Sequence, residues 1–281
     1  MRPPAYFPVD AEPLQMVASL ARFGTDYGQG AFDHAFFQVD SQRAEFVRQK
    51  RAAPPERRFV VGDDALAQDA RAEALEWMHA TLAREHPSIL RDILGDDEAA
   101  DPFDAVARHI QEDFAVLQAG ENDAGRTLVV DVRFPSGWRP ERLVEAGFDA
   151  IHAPVPGFPP NAKASQGMVR AMVDRGPYVR FVWTVGADDV LDHHPDKGDR
   201  RQGWDHAVQA FFRVERQVTV PLPRTRSSVF LVRTHVRPLL SLDDEQLDTV
   251  RQALDVMPPE VRRYKSLPDA QVFERFAERA T

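Results

Sequence analysis

One histidine of the chain has the surroundings of a metal ligand. His152 follows Ile151 at the end of a predicted helix and precedes the proline-rich residues 153–160. Because proline fixes φ, such a segment holds a neighbouring side chain in place at a smaller entropic cost. An imidazole held in this way suits an axial ligand of haem iron, and Val155 and Phe158 are available for the apolar slot that haem needs. The residues alone leave a second role open, in which His152 only makes a hydrogen bond in a turn.

Arginines within strand-like rows of apolar residues are a second group of candidate functional residues. Arg216 interrupts one row, and Arg233 and His235 share a face of another. Arg180 lies on the less apolar face of its predicted strand. A buried arginine has to be paired with an anion. Haem propionates would suit these guanidinium groups as bidentate partners, and acids such as Glu215 are the alternative.

The other histidines do not form a recognisable metal-binding motif. The chain has no HExxH motif, and no histidine pair at i, i+4 lies on a convincing helix. His193 and His194 lie in a polar loop with several acids, which we interpret as a solvated loop rather than a metal site.

The absence of cysteine narrows the redox chemistry further. It excludes disulfides, thiolate-ligated haem, cysteine-ligated iron–sulfur clusters and a cysteine nucleophile within this chain. A redox metal here must be held by His, Met, Tyr or carboxylate, or arrive inside a cofactor.

The overall composition predicts an ordinary globular protein. The 281 residues are 43% hydrophobic and carry a formal net charge of −9. The acidic balance argues against a nucleic-acid surface. No apolar run is long enough to cross a membrane, and the first residues lack the pattern of a secretory signal, so we expect a cytoplasmic location.

The periodicity of apolar residues predicts the elements that position these side chains. Helical spacing is found over residues 14–21, over residues 65–85 up to Pro87, and over residues 103–117. Strand-like alternation follows over residues 128–134, 178–185, 211–220 and 228–236. Helices are predicted again at 243–256 and 269–280. This order favours an α+β fold with an antiparallel sheet, and no Gly-rich phosphate-binding motif supports a Rossmann fold.

Five motifs in order resemble the haem-dependent oxidative N-demethylase α-subunit family. The longest is residues 134–158, FPSGWRPERLVEAGFDAIHAPVPGF, which contains His152. The other four are Arg180–Trp183, Arg213–Thr219 with Leu222–Arg224, Arg233–His235, and Tyr264–Lys265. Together they lie within residues 128–265.

The resemblance implies a fold, a cofactor and partners. It implies a PAS-like antiparallel sheet that binds haem, with residues 1–120 forming a mainly helical N-terminal region and residues 121–281 carrying the sheet and C-terminal helices. It also implies haem b and its iron, O2, and oxidative N-demethylation of a small methylated amine such as dimethylamine by a monooxygenase reaction. Electrons would come from reductase subunits that carry the flavin and the iron–sulfur cluster. No nucleic acid or membrane is expected as a partner.

The resemblance also suggests roles for single residues. His152 would be the proximal metal ligand. The other cofactor-binding candidates are Arg180, Trp183, Arg216, Arg224 and Arg233. The candidates for proton relay are Glu215, Tyr264 and His235, although each also suits a structural role.

One position departs from the family pattern. Val182 stands where family members usually carry Asn, and this removes a polar donor and acceptor. A changed amine preference is one consequence if that Asn lines the substrate pocket. Two alternative functions stay open: a non-enzymatic haem sensor or carrier on the same fold, and a related haem oxygenase that acts on a different C–N or N–O substrate.

Overall fold

The computed structural model of the chain describes residues 1–10, 20–120, 125–143, 152–157, 162–198 and 200–278. Within these ranges the chain forms one antiparallel sheet of seven strands, in the order β1-β5-β6-β7-β3-β4-β2. The strands are β1 Ala21–Arg22, β2 Arg58–Val60, β3 Asp113–Ala119, β4 Gly125–Asp131, β5 Tyr178–Gly186, β6 Phe211–Leu222 and β7 Ser227–Pro238. The predicted α+β class with an antiparallel sheet is confirmed. Residues 1–120 contribute β1, β2 and β3 to this sheet.

The centre of the sheet is the hairpin of β6 and β7. The two strands pair continuously from Phe211 opposite Pro238 to Leu222 opposite Ser227. The hairpin turn ends at Arg226, whose φ of 47° lies in the left-handed region. β5 pairs with the other side of β6, from Tyr178 opposite Thr219 to Gly186 opposite Phe211.

Helices surround the sheet. The described α-helices are α1 Ala31–His34, α2 Arg43–Arg51, α3 Ala65–Glu85, α4 Pro87–Leu94, α5 Pro102–Ala107, α6 Ala162–Asp174, α7 Asp244–Val256, α8 Pro259–Tyr264 and α9 Ala270–Ala277. The Asp64 carboxylate caps α3 by accepting the amide of Ala67 at 3.0 Å. Asp243 and Gln246 form a capping box at the start of α7. None of the described helices is long and apolar enough to span a membrane.

One side of the sheet, here called the back face, carries most of the apolar core. At one end Val179, Val218 and Leu231 belong to a cluster with Met78 and Leu82 of α3. At the other end Trp183, Phe212 and Val214 belong to a cluster with α7 and α9. The alternate residues of each strand therefore point to the opposite side, here called the front face.

The front face is covered by α6 at one end. Val169 and Val173 of α6 cluster with Leu117 of β3. In the centre of this face, Val182, Phe230 and Val232 are only half-buried. The front face therefore combines a packed end with a more accessible middle.

Several predicted elements need correction. The helix predicted over residues 103–117 is the short helix α5 followed by strand β3, because the apolar residues from Phe114 onwards pair with both β4 and β7. Pro87 begins α4 as well as following α3, as expected of proline in a first helical turn. Most of the helix predicted over residues 14–21 lies outside the described residues, as does Ile151. The other predicted strands and the two C-terminal helices are confirmed, with ends shifted by a few residues.

Candidate functional site

Strand β6 places a row of polar side chains on the front face. Arg213, Glu215 and Gln217 alternate along the strand with the back-face residues Val214 and Arg216. Arg180 of β5 lies directly opposite Gln217, and Val182 lies directly opposite Glu215. The sheet register thus brings an arginine, a glutamine and a glutamate together on one surface.

Hydrogen bonds hold the Glu215 carboxylate in place. Ser136 Oγ donates to Glu215 Oε1 at 2.5 Å, and Gln217 Nε2 donates to Oε2 at 3.1 Å. Arg213 Nη2 donates to Ser136 Oγ at 2.9 Å and so orients that hydroxyl. Both carboxylate oxygens therefore have a fixed donor from a neutral side chain.

Besides Arg213, whose Nε lies 3.9 Å from Glu215 Oε1, the front face carries Arg180 as a further cation. Its Nε donates to Gln217 Oε1 at 2.7 Å, and no carboxylate of the described residues lies within ion-pair distance of it. Burial lowers the pKa of Arg180, while the charges of Glu215 and Tyr264 act in the opposite direction. A half-buried guanidinium without a close anion is a candidate anion-binding group.

Tyr264 adds a hydroxyl to this surface from the end of α8. Burial, followed by the charge of Glu215, raises the pKa of Tyr264, and Arg180 partly opposes the shift. The side chain nevertheless stays 47% exposed. The charges of Glu215 and Arg180 therefore act on the ionisation of Tyr264, which is partly open to solvent.

The residues of the front face fit haem. Val182, Phe230 and Val232 present half-buried apolar surface, and Arg180 supplies a cation for a propionate. Ser165 of α6 and Thr219 of β6 are buried hydroxyls without a partner among the described residues. Ser165 lies on the helix stripe of Val169 and Val173, which faces the sheet. Because an unsatisfied buried polar group costs about 1–3 kcal/mol, a ligand between α6 and the sheet would relieve this cost.

His152 lies half-buried at the start of a turn. Its carbonyl accepts the amide of Val155 at 2.9 Å, and Gly157 takes a φ of 78°. The segment 152–157 precedes α6, the helix that packs on the front face. The assignment of His152 as iron ligand stays a prediction.

Two of the predicted cofactor arginines lie on the back face instead. Arg233 is fully buried and its Nη2 donates to Asp40 Oδ2 at 2.8 Å. Arg216 is also buried and donates to the carbonyl of Ala35 at 3.0 Å. The structure therefore does not bring Arg216 and Arg233 together with Arg180.

His235 lies on the same back face. Its Nε2 is 3.0 Å from Gln38 Oε1. Burial, followed by the charges of Arg233 and Arg216, lowers the pKa of His235 well below its ordinary value. Of the three proton-relay candidates, the structure thus places Glu215 and Tyr264 together and His235 on the other side of the sheet.

The remaining two candidates lie elsewhere. Trp183 is a core residue of the back face. Arg224 is exposed in the β6–β7 turn, where it forms ion pairs with Glu73 and Glu76 of α3.

The His193–His194 loop differs from the expected solvated loop. His194 is only 1% exposed, and its Nε2 lies 3.2 Å from Glu141 Oε1. His193 Nε2 lies 2.8 Å from Asp188 Oδ1. Contacts with neighbouring acids therefore give each of these two Nε2 atoms a polar partner. Within the described residues no cluster of three side chains suited to a metal ion is formed.

Ser136, Arg213 and Gln217 belong to the site but are not among the site residues predicted from the sequence. The alternation of Arg213, Glu215 and Gln217 is visible in the sequence. It predicts that their side chains lie on the other face of the strand from that of Arg216. Ser136 lies outside the regular elements, so its contact with Glu215 depends on the tertiary fold.

The fold and site define an α+β protein with a half-open sheet face that combines apolar side chains, a guanidinium and a carboxylate. The sequence matches the family model "Haem-dependent oxidative N-demethylase, alpha subunit-like" over residues 31–272. The chain belongs to this family, and the match includes both the front-face residues and His152. A search of curated proteins gives no match.

Proposed function

We propose that this chain binds haem b on the front face of a PAS-like sheet and oxidatively demethylates a small N-methylated amine. Membership of the N-demethylase family over residues 31–272 carries the proposal. The half-buried Arg180 beside an apolar surface supports it, because haem is an apolar macrocycle with carboxylate substituents.

In the proposed site each residue has a separate task. Arg180 would bind a propionate, while Val182, Phe230 and Val232 would contact the macrocycle. His152 would bind the iron, and the half-buried turn of residues 152–157 would hold it in place. Arg216, Arg233 and His235 instead stabilise the back face, since they have internal partners there.

When bound, haem supplies the activation of O2 and the oxidation of an N-methyl group. The net reaction converts the methylated amine, O2, two electrons and two protons into the demethylated amine, formaldehyde and water. Glu215 binds the cationic amine and accepts its proton at the carboxylate that Ser136 and Gln217 orient. Tyr264 keeps its own proton at neutral pH, because its pKa is raised, and acts as a hydrogen-bond donor.

The electrons come from a separate reductase. The chain has no cysteine, so an iron–sulfur cluster held by thiolates has to lie on another subunit. The family description as an alpha subunit agrees with such a division. We assign the flavin and the cluster to partner subunits.

A second candidate function is haem binding without demethylation. Val182 favours it, since this position lies beside Glu215 on the front face and lacks the Asn usual in the family. A site without that polar group has one hydrogen bond fewer for a small amine.

Absorption spectra and product assays test both functions. The purified chain, supplied with haem, is expected to show a Soret band at about one haem per chain and to produce formaldehyde from a methylated amine with an artificial electron donor. A chain that stays colourless contradicts haem binding. Haem binding without formaldehyde from any amine of a broad panel supports the second candidate.

A further inference from the structure

Lys265 is a buried lysine at the outer edge of strand β5. β1 pairs only with Tyr178 and Val179 of β5, and within the described residues no strand pairs with the edge beyond them. Lys265 Nζ donates to the carbonyl of Trp183 at 2.6 Å and lies 5.3 Å from the centre of its indole ring. The ammonium group therefore satisfies a strand carbonyl that has no strand neighbour on this side.

Further contacts fix the chain around Lys265. Thr184 Oγ1 donates to the Lys265 carbonyl at 3.3 Å, and Trp204 Nε1 donates to the Ser266 carbonyl at 3.1 Å. Ser266 has a φ of 55°, so the chain turns sharply just after Lys265. The end of α8 is thus attached to the edge of β5 by the Lys265 ammonium group and to the front-face residue Thr184 by the Lys265 carbonyl.

Tyr264 immediately precedes this attachment. Its helix ends at Tyr264, and the residue is 47% exposed, so packing around the ring fixes its position only in part. The fixed neighbour Lys265 therefore contributes to where the Tyr264 side chain lies relative to Arg180 and Glu215.

We infer that Lys265 is a positioning residue that holds the Tyr264 hydroxyl at the front-face site through its bond to the Trp183 carbonyl. The role of that site rests on the proposed function, but the positioning itself does not. A charge-assisted hydrogen bond of this kind is lost in Lys265→Met, which keeps an unbranched apolar side chain, and is kept in Lys265→Arg.

Ionisation of Tyr264 reports its position directly. The chain has four tyrosines, so the tyrosinate absorbance of the full chain minus that of Tyr264→Phe gives the titration of Tyr264. In Lys265→Met the pKa of Tyr264 is expected to fall toward the ordinary value of about 10, because the ring leaves its partly buried position near Glu215. Lys265→Arg is expected to restore the raised pKa, and the exposed Lys163→Met serves as the matched control.

The outcomes separate positioning from general stability. An unchanged pKa of Tyr264 in a folded Lys265→Met protein overturns the inference. If Lys265→Met does not fold, Lys265→Leu replaces it with the same criterion, since leucine also lacks a hydrogen-bond donor. The titration is independent of bound haem, so a colourless protein would contradict the proposed function and leave this result standing.

A second measurement uses the haem-loaded chain. If Lys265 acts through Tyr264, Lys265→Met and Tyr264→Phe have non-additive effects on the haem spectrum and on formaldehyde production, and the double variant resembles Tyr264→Phe. Additive losses overturn the inference.

Discussion

Val182 and Glu215 lie directly opposite each other on β5 and β6, and both side chains are on the front face. The departure from the family pattern therefore adjoins the carboxylate that we assign to amine binding. Neighbouring positions on adjacent strands are close enough for their side chains to interact.

Val182→Asn should shift the preference of the protein toward small polar amines. A regained hydrogen bond is worth about 1–3 kcal/mol, or about one to two decades in selectivity for dimethylamine over a bulkier methylated amine. Formaldehyde production across an amine panel measures this ratio. The control is Val208→Asn, which makes the same change at a position that is 97% exposed. Identical ratios in wild type and Val182→Asn would show that this position does not set specificity.

Removal of the positive charge of Arg180 should weaken haem binding. Arg180→Met is expected to reduce the affinity about ten- to hundredfold, since hydrogen bonds to charged groups contribute about 1.5–3 kcal/mol. Haem titration followed by the Soret band gives the affinity, and the exposed Arg91→Met is the matched control. Equal affinities in Arg180→Met and wild type would place the propionates elsewhere.

The iron ligand can be identified from spectra. His152→Ala is expected to lose haem or to change its spin and ligation state, whereas His193→Ala should leave the spectrum unchanged. His206→Ala, at an exposed position, controls for the loss of an imidazole. A spectrum altered by His193→Ala but not by His152→Ala would contradict the assignment.

His235 should make stability depend on pH. Its folded pKa lies well below the ordinary value, so below about pH 6.5 the unfolded chain binds a proton that the folded chain does not. The free energy of unfolding therefore decreases as the pH is lowered. Between pH 7 and pH 5, wild type should lose about 2 kcal/mol more of this free energy than His235→Gln. Urea unfolding at both pH values measures the difference, with His206→Gln as control. Parallel losses in wild type and His235→Gln would show that His235 titrates normally in the folded state.

The sequence predicted the long elements well because each has a single dominant pattern. Residues 65–85 were predicted as a helix and form α3 with the same bounds. The alternating apolar rows located β5, β6 and β7, since each strand buries one face against helices. The same alternation showed that Arg233 and His235 share a face.

Short apolar segments were harder to predict. The residues around Phe114 satisfy helical and strand spacing equally, and the choice is made by strands β4 and β7, which are distant in the sequence. The partners of Arg216 and Arg233 could not be predicted from the sequence either. Ala35 and Asp40 come from the N-terminal region, far from the two arginines along the chain. Only the folded chain shows that, among the residues the structure describes, Arg180 lacks a close carboxylate while Arg233 has one.

The strand order has a consequence for how the chain acquires its structure. β1 pairs with β5 through Ala21 and Val179, and β3 pairs with β7 through Phe114 and Leu231. Pairings between residues so distant in sequence slow folding, because a long loop must close before the contact forms. During synthesis, β3 cannot pair with β7 until β7 has left the ribosome. Until then, the edge of β3 that faces β7 in the folded sheet is unpaired. The nascent chain is therefore expected to depend on chaperones until the last strand has emerged.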